Sequence, residues 1–381
     1  MTTAVIKSLY KEYKAAQLTH RYITLTHIEP LLHTFKNKVT ISTLGTSVLG
    51  QAIYGLEVGT GPKRILMWSQ MHGNESTTTK ALFDLLNTLL SETNALDSIL
   101  KNCTLFIIPM LNPDGASAYT RVNANQVDLN RDAQHLSQPE SKVLRQVFNQ
   151  FKPHYCYNLH GQRTIFSAGR ANKSAIVSFL SPAQDENCTV TPTRQIAMEI
   201  IAEMNKTLQE LIPNHVGVYD DAFNINCVGD TFQTENIPTI LFEAGHYPND
   251  YAREQTRELI YIAYISSLNY IAHNEVYGTN YQAYFDIPEN EKCFYDIVIR
   301  GAKVGQEIKD IGIQYKETIE QGKIRFIPVI EKIDDLNGIY GHKEIDAQGF
   351  EVYNEQGYPL TVSSENVFVI LNHEKILLES K

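Results

Sequence analysis

The sequence holds one tryptophan and five cysteines in 381 residues. The cysteines (Cys103, Cys156, Cys188, Cys227 and Cys293) are odd in number, widely spaced and never form a C-x-x-C pair, which excludes a disulfide scaffold and a zinc ribbon. No apolar run reaches membrane-spanning length, since the nearest, 259–272, is broken by Ser266, Ser267 and Asn269. Lys7 and Lys11 interrupt the start of the chain before an export signal can form, so a cytoplasmic protein with no membrane partner is expected. Positive charge is in deficit. The 33 Lys and Arg against 43 Asp and Glu leave a net charge of −10, the wrong sign for a binder of phosphate backbones, and no nucleic-acid partner is expected. Repeats and low-complexity segments are also absent. What is present is ordinary globular material, 43% hydrophobic and 20% charged, in a chain long enough for two cores or one large core with an appendage.

Through about residue 280, short apolar runs alternate with amphipathic stretches, the pattern of an α/β domain. Strands are predicted at 64–68, 104–109, 155–159, 176–180 and 239–242, several of them nearly continuous in apolar character, as in a sheet covered on both faces. Between them, 76–90 carries Leu82, Leu85, Leu86, Leu89 and Leu90 on one helical face. Ser137-Gln-Pro-Glu140 reads as a capping box opening a helix to about Phe151. Thr191-Pro192 opens another that ends near Pro213, and 250–273 carries the last long one. Beyond Gly278 the character changes. Short β-type runs at 295–300, 311–315, 324–330 and 367–371 are separated by turn pairs such as Gln321-Gly322 and Asn337-Gly338. The chain thus divides into an α/β domain over 1–280, where the chemistry is expected, and a β-rich C-terminal domain over 281–381 of unassigned role.

The run 64–68 leads into Ser69-Gln-Met-His72-Gly-Asn-Glu75, followed at once by a helix. His72 and Glu75 are close enough for one turn to bring imidazole and carboxylate onto one ion, and two His with one Glu form a catalytic zinc ligand set. Alone, the same residues also read as a loop His and a helix-start Glu favoured by the helix dipole. A third ligand is expected from His160, at the carboxyl end of the run 155–159, because the crevice of an open α/β sheet lies at strand carboxyl ends. His154 falls at the opposite end of that run, while position alone leaves His135 and His246 open. Glu243 follows a third buried strand, where a carboxylate is costly unless paired or functional; it suits a general base, or an ion pair with Arg253 or Arg163. A fourth region, Asn112-Pro-Asp-Gly115 to Arg121 and on through Asp128-Leu-Asn130-Arg131, reads as irregular. Arg131 offers a planar fork for a carboxylate, and Arg121 a donor for an oxyanion.

Taken together, His-Gly-Asn-Glu at 72–75, Asn-Pro-Asp-Gly at 112–115, Arg121, Val-Asp-Leu-Asn-Arg at 127–131, Leu-His at 159–160 and Phe-Glu-Ala-Gly at 242–245 resemble the zinc carboxypeptidase (peptidase M14) family in order and kind. The segment 42–59 is similar to the strand pair before the metal loop of bacterial members. The resemblance implies a mixed, largely eight-stranded sheet flanked by helices and one Zn²⁺ ion. By the same resemblance His72, Glu75 and His160 match zinc ligands, Glu243 the carboxylate that promotes water attack, and Arg121 the arginine that polarises the scissile carbonyl. Asn130 and Arg131 match the pair that binds a terminal carboxylate, and Tyr219 the tyrosine that closes over substrate, with Tyr247 left open as the alternative. Three positions depart from the digestive members: Asn74 stands in place of arginine, Ala133 in place of an aromatic residue, and no tyrosine follows His160-Gly-Gln-Arg. The Asn74 variant is shared by bacterial murein-peptide amidases and acylamino-acid deacylases.

The expected activity is therefore a zinc-dependent metallocarboxypeptidase acting on a peptide or acyl amino-acid substrate with a free carboxylate. Two alternatives stand beside it: a murein-peptide amidase or N-acyl amino-acid deacylase using the same site, and a non-catalytic zinc-binding adaptor built on the β-rich domain. Oligomeric state is not legible in the sequence.

Overall fold

The computed structural model describes residues 1–92 and 96–379; the last two residues of the expected β-rich domain lie outside it. The apolar runs of the first half become strands β1 (Thr40–Thr46), β2 (Ala52–Val58), β3 (Lys63–Ser69), β4 (Cys103–Ile108), β5 (Tyr155–Gly161), β6 (Ser167–Ala168), β7 (Val177–Leu180), β8 (Val216–Val218) and β9 (Thr239–Ala244). All but β6 join one mixed eight-stranded sheet in the order β1-β2-β4-β3-β5-β9-β7-β8. Strands β4, β3, β5 and β9 run parallel, and β7 returns antiparallel to β9. Side chains alternate across β3: Ile65 and Met67 enter one core, Leu66 and Trp68 the other.

Helices cover both faces, which is why the central strands tolerate nearly continuous apolar sequence. The larger core lies under α1 (Thr3–Tyr13), α2 (Leu25–Phe35), α3 (Thr77–Leu89), α4 (Asp97–Asn102), α7 (Pro192–Gln209) and α9 (Glu254–His273). The smaller lies under α6 (Pro139–Phe151) and α8 (Val228–Thr234). The stretch read as irregular contains a short helix, α5 (Pro113–Ala118), nucleated by Asn112, whose side chain accepts from the Gly115 N–H.

Two helix starts differ from the sequence reading. Helix α6 is capped at Gln138 without a capping box. Ser137 and the Gln138 N–H are drawn instead to Asp132, and the buried Glu140 accepts from Val48 N–H and Asn123 across to neighbouring loops. A buried carboxylate finds stronger donors there than on its own helix. Helix α9 starts at Glu254 because Arg253 takes a left-handed conformation, φ 57°, which a non-glycine residue adopts only at some cost.

After α9, residues 281–291 stay against the α/β region, where β10 (Asn290–Glu291) pairs with β6. A four-stranded sheet follows, from β11 (Phe294–Val304), β12 (Glu307–Glu320), β13 (Lys323–Asp334) and β14 (Tyr340–Asp346), in the order β13-β12-β11-β14. The β12–β13 hairpin turns on Gln321-Gly322, both at positive φ as a tight twisted turn requires. Strands β15 (Val352–Tyr353), β16 (Phe368–Leu371) and β17 (Glu374–Leu377) form a second small sheet, and Ile297, Ile299, Ile313, Ile330 and Val369 fill the space between. This β-rich region grips the α/β region beside β5: Gln314 donates to Thr164 Oγ1 at 2.7 Å, His342 Nε2 to the Thr164 carbonyl at 2.8 Å, and the Tyr251 hydroxyl to Asp296 at 2.8 Å.

The N-terminal segment is tied down by charge inside the core. Arg257 of α9 makes paired bonds to Asp84 of α3 at 2.6 and 2.7 Å and donates to the carbonyls of Ala15 and Leu18. Asp84 also accepts from the Ala15 N–H at 2.7 Å. Arg257→Met would leave the buried Asp84 carboxylate unpaired, a loss of about 3–5 kcal/mol. Urea unfolding followed by circular dichroism is expected to show it as a lowered midpoint with unchanged slope.

Candidate metal centre

Where β3 ends, its chain turns back on itself. Gln70 donates to the carbonyls of Gly73 and Ile23, each at 2.8 Å. Asn112 donates from Nδ2 to the Met71 carbonyl at 3.1 Å, and the Asn74 N–H reaches the Thr120 carbonyl at 3.2 Å. The loops of 72–75 and 112–115 thus abut backbone to backbone. A Cβ on Gly73 would lie 1.9 Å from the Gly115 carbonyl carbon, so only glycine fits between His72 and Asn74.

This turn aims His72 and Glu75 at the carboxyl end of β5, which delivers His160. The His72 Nδ1 lies 2.9 Å from Glu75 Oε1, the His160 Nδ1 2.9 Å from Glu75 Oε2, and the two Nδ1 atoms 3.1 Å apart. Both imidazoles are 2% exposed. A third donor, the Gly161 N–H, fixes Glu75 Oε2 at 3.0 Å. Burial works against the charged forms, yet the His72 charge and the bonds from both imidazoles hold Glu75 well below the usual carboxylate range. His72 is raised despite burial, by Glu75 and Asp128, whereas burial pushes His160 down to about 4. Two imidazole nitrogens facing each other across a carboxylate leave room for one positive charge at their focus. A divalent cation fits that arrangement, and the nitrogen, nitrogen, oxygen set suits zinc. Among the described residues, His135 and His246 do not join this group. His135 is exposed, His246 is buried between the rings of Tyr251 and His342, and His154, at the far end of β5, accepts from the Arg64 N–H.

A residue to which sequence reasoning gave no role completes the turn. Asp128 accepts from His72 Nε2 at 3.1 Å and from Arg121 Nε at 3.0 Å. Burial opposes its ionisation, but these two partners hold it far below the ordinary range. Its only sequence signal was a carboxylate just before Asn130-Arg131. Arg121 is exposed and reaches toward Glu75 Oε1 at 3.6 Å.

Glu243 stands opposite His160 in the register of β5 and β9. It makes no ion pair with Arg253 or Arg163, and its Oε2 is shut from solvent without a hydrogen-bond partner. Burial, followed by the Glu75 charge, raises it well above the usual carboxylate range. Tyr219, just past β8, packs its ring on Phe166 at 5.2 Å, and burial with the nearby carboxylates of Glu243 and Glu75 raises its hydroxyl. Tyr247 packs against the larger apolar core. Asn130 and Arg131 lie in a short 3-10 turn capped by Asp128. Asn130 Oδ1 accepts from the Val228 N–H at 3.1 Å, and Arg131 stays exposed near Cys227 and Asp230, whose carboxyl burial raises to about 6.

Residues 24–213 match the family model described as zinc carboxypeptidase. Carboxypeptidase 2 of Trichophyton rubrum is 29% identical over 111 residues, 29% of this chain and 20% of that protein. Carboxypeptidase SOL1 of Arabidopsis thaliana is 29% identical over 168 residues, 38% of this chain and 34% of that protein. The matched segments thus span about a fifth to a third of these relatives. A metallo-carboxypeptidase from Burkholderia cenocepacia shares the fold at a TM-score of 0.51, with 14% identity over 65% of this chain and 70% of that one. Motif order, sheet topology and family match agree over residues 24–213, about half of the chain: this segment is zinc carboxypeptidase-like.

Proposed function

We propose that this chain is a zinc-dependent hydrolase that cleaves an amide bond next to a free carboxylate, most simply a metallocarboxypeptidase. The observation that carries the reading is Glu243: a carboxylate of raised proton affinity, with one oxygen unpartnered, next to a His-Glu-His set. His72, Glu75 and His160 would hold one zinc ion, which when bound supplies a Lewis acid for the scissile carbonyl and lowers the pKa of water. Glu243 Oε2 takes the proton of the attacking water and passes it to the leaving amine; its raised pKa suits both transfers. Arg121, anchored through Asp128, offers its remaining N–H donors to the oxyanion. Asp128 in turn fixes the His72 ring so that Nδ1 faces the ion. Asn130 and Arg131 hold the substrate carboxylate and set the register of cleavage, and Tyr219 covers the bound substrate. The segment 281–381 is read as a separate β-rich domain, and the chain as cytoplasmic.

A second reading keeps the site and changes the substrate to an N-acyl amino acid or a murein-type peptide. One observation favours it. The space of about 330 Å³ beside Glu75 and Arg121 is walled in part by Gln314, Tyr315 and Glu317 of β12, so the β-rich segment narrows one side of the cleft, which this reading takes as the acyl side. Mass spectrometry of a peptide pool with free, amidated, γ-linked and acylated members decides between them. Loss of single C-terminal residues from free acids supports the first reading, and cleavage confined to acylated or γ-linked members supports the second.

Glu243→Gln is expected to keep zinc and lose turnover by about 10²–10⁴-fold. Near-normal turnover would sink the mechanism. Asp128→Asn is expected to weaken zinc binding by about 10–100-fold, read by competition with a chromogenic chelator.

A further inference from the structure

We infer that the cavity between the metal centre and the β-rich domain is an anion subsite, in which Arg253 and Arg163 hold a carboxylate on the acyl side of the scissile amide. The inference rests on the hydrolase reading for the identity of that amide and deepens it. The substrate class it names is a dicarboxylic acyl amide, such as a succinyl or γ-glutamyl amino acid, with one carboxylate on each side of the bond.

Four guanidinium groups line this space of about 330 Å³: Arg21, Arg121, Arg163 and Arg253. Arg21 is paired with Glu317, and Arg121 with Asp128. Among the described residues Arg163 and Arg253 have no carboxylate partner. Arg253 is only 5% exposed. Its Nη1 and Nη2 donate at 2.5 and 2.6 Å to the Ala244 carbonyl at the end of β9 and the Gln162 carbonyl just past β5, while its Nε is buried with nothing to bond. Arg21 likewise has a buried, unpartnered Nη1. A guanidinium out of water without a counter-charge is costly, and burial pulls the Arg253 pKa down to about 10. The left-handed backbone at Arg253 adds to that cost. An anionic ligand supplies the directly bonded counter-charge that Arg253 lacks.

Glu317 and Glu75 favour the Arg253 charge from a distance, but neither carboxylate bonds it. Glu317 is taken by Arg21 and by the Tyr119 hydroxyl at 2.6 Å, and Glu75 by the two imidazoles. Asp296 accepts from Tyr251, Gln314 and the Tyr315 N–H, and burial raises it to about 6. The position is next to the chemistry. A Cβ on Gly161 would stand 3.5 Å from Arg253 Nη1 and 3.6 Å from the Glu75 Cβ. Asn130, Arg131, Cys227 and Asp230 do not line this cavity, so it is distinct from the space proposed for the leaving amino acid. Its far wall is Gln314, Tyr315 and Glu317, which gives the β-rich domain a part in choosing the substrate.

The test is calorimetric binding of N-succinyl-alanine and N-butyryl-alanine to the zinc-loaded full chain carrying Glu243→Gln. These probes differ in the distal carboxylate of the acyl group. The expected result is at least a ten-fold preference for the succinyl probe, which Arg163→Ala or Arg253→Gln, added singly, reduces to less than three-fold. Circular dichroism and zinc content show whether each variant is folded; if Arg253→Gln is not, Arg163→Ala, at an exposed position, decides alone. Equal affinities, no binding of either probe, or a preference that survives Arg163→Ala would overturn the inference. Because affinity is read without turnover, a confirmed preference with no hydrolysis of either probe by the unsubstituted chain would remove the hydrolase reading and leave the subsite standing.

Discussion

The parallel register of β3, β5 and β9 is the constraint on which the rest depends. Pairing of Ser69 with Leu159 and of His160 with Glu243 brings three strand ends to one edge of the sheet. From that edge the turn after β3 supplies His72 and Glu75, β5 supplies His160, and β9 supplies Glu243. A slip of one residue in either pairing would turn His160 or Glu243 into the core and dissolve the group. The sheet therefore has to be rigid there, and two apolar layers make it so: β3 and β5 bury apolar side chains on both faces, and β9 lays Ile240, Phe242 and Ala244 into the larger core.

Electrostatics at the edge follow from burial. Carboxylates with cationic or imidazole partners, Glu75 and Asp128, are held ionised, while Glu243, with its Oε2 unpartnered, is pushed toward its protonated form. On the proposed reading, titratable groups driven apart by their surroundings would divide the work of ligand and base between chemically identical side chains. The same logic marks Arg253, which bonds no carboxylate among the described residues.

The candidate ligands were legible because each sits at or just past a strand end announced by an apolar run, and the motifs occur together in order. The sheet was legible for the same reason: five predicted strands lie within β3, β4, β5, β7 and β9 to within a residue or two. Other features were not. Asp128 bonds His72 across 56 residues of sequence, a contact that no local spacing encodes. The capping box at Ser137 failed because Glu140 answers to tertiary donors and Asp132 takes Ser137 and the Gln138 N–H. Gln314 and Glu317 meet the cleft only because β12 folds back over the loop after β5, and their alternating strand pattern carries no sign of it.

The proposed chemistry depends on one coordination site. X-ray absorption at the zinc edge, on protein stripped of metal and restored with one equivalent, tests it most directly. The account predicts a single tightly held zinc whose shell is nitrogen and oxygen only, with the multiple-scattering signature of two imidazoles, and loss of one imidazole in His160→Ala. A shell containing sulfur, or one unchanged by His160→Ala, would contradict it.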